Sequence, residues 1–160
     1  MSSARAVHRP ARMGNVKLSA FADVCLRTLM FLGSRRDQQV TTKDIAEAIG
    51  VPYNHVAKAI VELRNRGALD VTRGRYGGSQ ITSVGLELRV GALMRDLDVR
   101  EDVVECVSEA GIPCPLLATC KLRGALRRAR EAFYAELDAL RVQDLTTVQG
   151  STSLPFPLFP

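Results

Sequence analysis

Three cysteines, Cys106, Cys114 and Cys120, fall within fifteen residues of one another in this 160-residue chain. They are the strongest candidates for chemistry. Thiols in a reducing compartment are seldom paired, so a cluster of them points to metal or redox work. Three thiolates can hold zinc or an iron–sulfur cluster, and either group needs a further ligand. Seven residues separate the first two cysteines and five the last two. That spacing lacks the CxxC knuckle of structural zinc sites and tilts the choice towards iron–sulfur. Two plainer readings stand beside it: three unremarkable thiols, or a metal-free redox pair in which Cys114 and Cys120 form a disulfide on oxidation. The fourth cysteine, Cys25, falls on an apolar helical stripe and reads as a small core residue.

A second set of side chains suits a polyanion. The segment opening at Pro52 places Tyr53, Asn54, His55 and Lys58 on the outer turns of a helix start. Such donors and acceptors match base edges and phosphates in a major groove. Arg73 and Arg75 lie in the run Arg73-Gly74-Arg75-Tyr76-Gly77-Gly78, a cationic hairpin tip. A solvated charged face is the plainer reading of both. The glycine run lacks the Lys-Ser/Thr of a phosphate-binding loop. No carboxylate or nucleophile accompanies His55, and no nucleophile–base pair is visible, so an enzyme is not expected.

These residues need elements to hold them. Leu18, Phe21, Ala22, Cys25, Leu26, Leu29 and Leu32 recur as one face of a helix over Lys17 to Gly33, with Asp23 and Arg27 off that face. A Thr-capped helix opens at Thr41-Thr42 and uses Ile45, Ala46 and Ile49. Gly50-Val51-Pro52 turns the chain, with Pro52 at the first position of a helix that runs to about Arg66 and ends at Gly67. That is helix-turn-helix spacing. Leu69–Thr72 and Ser79–Thr82 read as the two strands of a wing. Leu86 to Leu97 reads as a further helix. A Pro- and Gly-containing loop carries the cysteines, and a long helix from Lys121 to about Leu140 follows. Its stripe of Leu122, Ala125, Leu126, Ala129, Phe133, Leu137 and Leu140 suits dimerisation.

The expected fold is therefore mainly α with a small β-hairpin, a winged helix-turn-helix plus a long C-terminal dimerisation helix. The expected divisions are a disordered basic tail over 1–15, the DNA-binding region over 16–85, and a connecting helix with cysteine loop over 86–120. The dimerisation helix and end segment follow over 121–148, and a flexible tail over 149–160. Charge agrees with this division. Residues 1–82 carry 13 basic and 6 acidic side chains, while residues 83–160 carry 9 and 11. A basic half joined to a slightly acidic half suggests that only the first meets a polyanion. No apolar run approaches the ~18 residues of a membrane span and no secretory signal opens the chain, so a cytoplasmic protein without a membrane partner is expected.

Several of these segments together resemble the winged-helix iron–sulfur transcriptional repressor family that includes IscR and NsrR, and most closely its nitric-oxide-sensing NsrR branch. They are Lys17-Leu18-Ser19-Ala20-Phe21-Ala22-Asp23-Val24-Cys25-Leu26-Arg27, Gly50 to Ile60, the wing Arg73 to Gly78, and the three cysteines before a long helix. The resemblance spans about residues 16–148. It implies a homodimer that represses transcription from double-stranded operator DNA while a cluster, 4Fe–4S rather than 2Fe–2S, is intact, with nitric oxide as the signal. It further implies Cys106, Cys114 and Cys120 as ligands, with Asp23 of the partner subunit as the fourth. The other reading of Asp23 is a surface carboxylate paired with Arg27 at i, i+4. An IscR-like chain would offer a histidine just after the last cysteine, where this one reads Lys121-Leu122-Arg123. One departure concerns Cys106: the family places five residues between its first two cysteines, and this chain places seven. The competing readings are a metal-free thiol regulator, a 2Fe–2S iron- or redox-responsive regulator, and an iron–sulfur carrier that binds no DNA.

Overall fold

A computed structural model of the chain describes residues 19–98, 104, 106–107 and 111–146. The expected basic tail over 1–15, Lys17 and Leu18 of the first helix, and the tail over 149–160 lie outside these residues. The elements in order are α1 (Ala20–Gly33), α2 (Thr42–Ile49), α3 (Tyr53–Asn65), β1 (Leu69–Thr72), β2 (Gly78–Ile81), α4 (Ser83–Glu87), α5 (Val90–Leu97) and α6 (Lys121–Leu137). Short 3-10 turns at Leu117–Thr119 and Val142–Leu145 flank α6. None of the described helices is long and apolar enough to cross a membrane.

Helices α1 and α2 start where a side-chain oxygen can cap them. Ser19 accepts from the Ala22 amide at 3.1 Å and Thr41 from the Asp44 amide at 3.2 Å. Such caps satisfy amides that have no partner within the helix. The apolar spacing then decides which face is buried. Cys25, Leu29 and Leu32 of α1 meet Ile45 of α2 and Val56, Ala59 and Leu63 of α3, all with no exposed surface. Gly50 makes the turn between α2 and α3 in the left-handed region, at φ 66°, which a side chain would disfavour.

The hairpin pairs antiparallel, with Leu69 opposite Ile81 and Thr72 opposite Gly78. Its second strand also bridges to Val40: the Val40 and Ser79 amides donate to each other's carbonyls at 3.0 and 2.8 Å. The wing is thereby tied to the segment leading into α2.

Four details differ from the sequence-based expectation. Pro52 is the cap residue of α3 rather than its first helical residue. The second strand starts one residue earlier, at Gly78, which pairs with Thr72 of β1. The helix expected over Leu86–Leu97 is two helices, α4 and α5, separated at Leu88 and Arg89. The break has a distant cause. Leu88 and Val90 use their backbone on the chain after α6, with the Val142 amide donating to Leu88 and the Val90 amide to Leu140 at 3.0 and 2.9 Å. Lastly, α6 stops at Leu137, and its buried aromatic is Tyr134 rather than Phe133. There α6 crosses α5 so closely that a Cβ on Gly91 would collide with the Tyr134 carbonyl.

Candidate nucleic-acid interface and cysteine loop

The apolar residues of α3 fix the orientation of its remaining face. With Val56, Ala59, Ile60 and Leu63 turned into the core, Tyr53, Asn54, His55 and Lys58 all stand exposed at its N-terminal end. No acid lies in the first turn and no side chain caps Pro52. The helix start therefore presents amides and cationic or neutral polar groups, a combination that favours a phosphate. Arg73 and Arg75 are likewise exposed at the hairpin tip. All six residues expected to touch DNA are solvent-facing, on two elements tied to the same core.

The far end of α3 is fastened instead of free. Arg66, its C-terminal cap, donates to Glu62 at 2.7 Å and to Asp96 of α5 at 3.0 Å. Burial works against the Arg66 charge, but these two carboxylates outweigh it and hold its pKa above the usual value. One residue before Asp96 on α5, Arg95 bridges to α6 through Glu131 at 2.8 Å and Asp138 at 3.0 Å. Hydrogen bonds first to Glu131 and then to Asp138 raise its pKa. Tyr134 donates from its hydroxyl to Asp98 at 2.6 Å, so its buried ring carries no stranded polar atom. Helix α5 thus joins the reading helix to α6 and leads directly into the cysteine segment. Sequence reasoning missed this joint. Its only signal is the alternation Arg95-Asp96-Leu97-Asp98 at the end of an apolar stripe.

None of the chain's four cysteines is in a disulfide, and three of them lie in the cysteine segment. Cys106 is buried, whereas Cys114 and Cys120 are half-buried. Backbone pairing folds the loop on itself: the Cys114 amide donates to the Cys106 carbonyl at 2.9 Å, beside a bridge between Val107 and Pro113. The Leu117 amide then returns to the Cys114 carbonyl at 3.0 Å. Cys120 caps α6, its sulfur accepting from the Arg123 amide at 3.4 Å. The seven-residue spacing therefore still brings Cys106 and Cys114 side by side in the backbone. As donors the three thiols, none of them in a disulfide, suit iron, zinc or redox chemistry alike. Among the described residues, however, no group of three or more Cys, His, Asp or Glu side chains is close enough to hold a metal ion. The donor chemistry of the three thiols fits a cluster.

Asp23 lies on α1, half-exposed, and accepts from Arg27 at 3.0 Å. This is the i, i+4 pair that its spacing allows, and exposed pairs of this kind contribute only about 0.3–0.5 kcal/mol. Cys25, two residues on, is fully buried. Burial, and secondarily the Glu62 charge, push its thiol up to about 12 against the opposing effect of Arg66. It is a core residue and does not belong with the other three.

Residues 18–147 match the family model described as "Rrf2: Iron-dependent Transcriptional regulator". An HTH-type transcriptional repressor NsrR of Streptomyces coelicolor is 47% identical over 132 residues, covering 81% of this chain and 88% of that protein. An HTH-type transcriptional regulator NsrR of Geobacillus kaustophilus is 36% identical over 137 residues, covering 85% and 93%. Among solved structures, T. potens IscR superposes with a TM-score of 0.62 at 18% identity, over 82% of this chain and 86% of that one. At that identity the likeness speaks for the winged-helix fold alone.

Proposed function

From the premise that this chain belongs to the Rrf2 family, and is a transcriptional regulator rather than an enzyme, we propose that it is a homodimeric, cytoplasmic repressor whose 4Fe–4S cluster senses nitric oxide. The observation that carries this reading is the loop in which Cys106 and Cys114 are backbone-paired and Cys120 caps the next helix. It stands in the same chain as an exposed reading helix and wing.

Cys106, Cys114 and Cys120 hold the cluster, with Asp23 of the partner subunit as the fourth ligand. Asp23 is half-exposed and held only by a pair on its own helix, which leaves it available to a second chain. The exposed stripe of α6, Leu122, Ala125, Ala129 and Phe133, supplies the surface on which two copies meet. When bound, the cluster supplies iron with which nitric oxide reacts. The protein's own contribution is the connection. The cysteine segment leaves α5 just beyond Asp98, and α5 holds the end of α3 through Asp96 and Arg66. A loop that is closed or open thereby favours different placements of the two reading helices, and repression follows from their different affinities for DNA. Tyr53, Asn54, His55 and Lys58 contact the major groove while Arg73 and Arg75 engage the backbone beside it.

The ligand assignment is tested with Asp23→Ala in anaerobically prepared protein. The variant is expected to fold as wild type but to lose its cluster absorption faster. Unchanged absorption and lifetime would refute the role of Asp23. A colourless wild-type protein with stoichiometric zinc would refute the cluster itself.

A further inference from the structure

Of the large apolar side chains among the described residues, Tyr76 is the most exposed, at 88%. It occupies the tip of the wing between β1 and β2, one residue beyond Arg75 and three beyond Arg73. The tip cannot tuck this ring away. Gly74 turns the chain at φ 110°, and the Gly77 amide closes the loop onto the Gly74 carbonyl at 3.0 Å. A Cβ on Gly77 would collide with the Thr72 carbonyl, so the backbone folds tightly beneath Tyr76. The base of the hairpin is held on both edges. Ser79 pairs with Val40, and Gln39 donates to the Thr72 hydroxyl at 3.1 Å. The wing is therefore a braced arm carrying an aromatic ring at its end. Arg75 shares the ring's surroundings, its guanidinium 5.9 Å from the ring centroid.

We propose that Tyr76 is a DNA-contact residue that packs its ring against deoxyribose, while Arg73 and Arg75, which precede it in the tip, engage neighbouring phosphates. A nucleic-acid backbone offers partners for both kinds of group: anionic phosphates, and between them sugars that present C–H surface. Guanidinium groups match the first and a flat amphipathic ring matches the second. Such a contact is not ionic. It adds affinity without releasing counterions and reads no base sequence. The division of labour on the wing is then specific: the arginines set the salt dependence, and Tyr76 supplies a part that is independent of salt. This inference rests on the DNA-binding reading of the wing.

The test uses the full-length protein and a fluorescein-labelled 30-bp duplex of arbitrary sequence, titrated at several KCl concentrations. Tyr76→Ala is expected to weaken binding about fivefold at every concentration, with the slope of log K against log[KCl] unchanged. Arg73→Ala is expected to reduce that slope by about one unit. Tyr76→Phe keeps the ring and is expected to bind as wild type. Because the side chain is exposed, thermal melting of the variants serves as the control for folding. Wild-type affinity in Tyr76→Ala overturns the proposal, as does a loss of affinity equal in Tyr76→Phe, which would assign the contact to the hydroxyl. If the wild-type protein itself shows no salt-dependent binding, it is the DNA-binding reading that fails.

Discussion

Helices α3 and α6 are both amphipathic, yet the chain completes only one of them. Of the 13 residues of α3, four are buried against α1 and α2, and its polar end stands clear. Of the 17 residues of α6, Tyr134 alone is buried, and Leu122 and Phe133 remain exposed. The reading unit is closed by contacts within one chain. The cysteine loop and α6 are less complete: among the described residues no three metal-binding side chains gather into a site, and Leu122 and Phe133 of the α6 stripe stay exposed. A regulator gains from this division. Under the proposed function, the part that recognises DNA stays fixed, while the part proposed to sense is assembled from two chains and is undone without unfolding either.

The sharpest way to break this contrast is to truncate one leucine in each region. Leu63 is fully buried between α3 and its neighbours, and Leu63→Ala should cost about 2–5 kcal/mol in denaturant unfolding. Leu122 is 61% exposed, so Leu122→Ala should leave the far-ultraviolet spectrum unchanged and instead weaken self-association about tenfold by sedimentation. Equal effects on folding from the two variants would erase the distinction.

A smaller effect separates the cysteines. Burial raises the Cys25 thiol from 9.0 to about 12. A folded-state pKa above the unfolded value means that the native chain holds this proton more tightly. The resulting stability is complete below about pH 9 and is lost as pH rises from there towards 12. Unfolding measured between pH 8 and 11 should therefore fall less steeply in Cys25→Ala than in wild type, by up to one proton. Parallel curves would show that Cys25 is not held neutral by the core.

The same contrast explains what could be read from the sequence. Helices α1 to α3 and the hairpin were legible because their signals are local: Thr41 as a cap, apolar residues at helical spacing, and glycines at the turns. The break at Leu88 and Arg89 has no glycine or proline to announce it. It exists because Val142 and Leu140, some fifty residues later, claim those backbone groups. Phe133 and Tyr134 are adjacent aromatics of similar bulk. Which of them turns inward is decided by Gly91 and Asp98 across the α5–α6 contact, and helical periodicity does not record it. The candidate DNA-contact residues were legible because each sits at a locally specified turn or helix start. The cysteines were legible as a set, whereas their backbone pairing depends on the fold of the loop between them.

The central claim is that the cysteine loop governs DNA binding through a cluster. It is tested most directly by adding nitric oxide stepwise to anaerobically purified protein while following absorbance and binding to a DNA duplex selected by the protein from a random-sequence pool. The account predicts a brown protein with about four irons per chain, whose DNA affinity collapses as the cluster absorption is lost. Iron-free protein that binds DNA equally well before and after nitric oxide would contradict it.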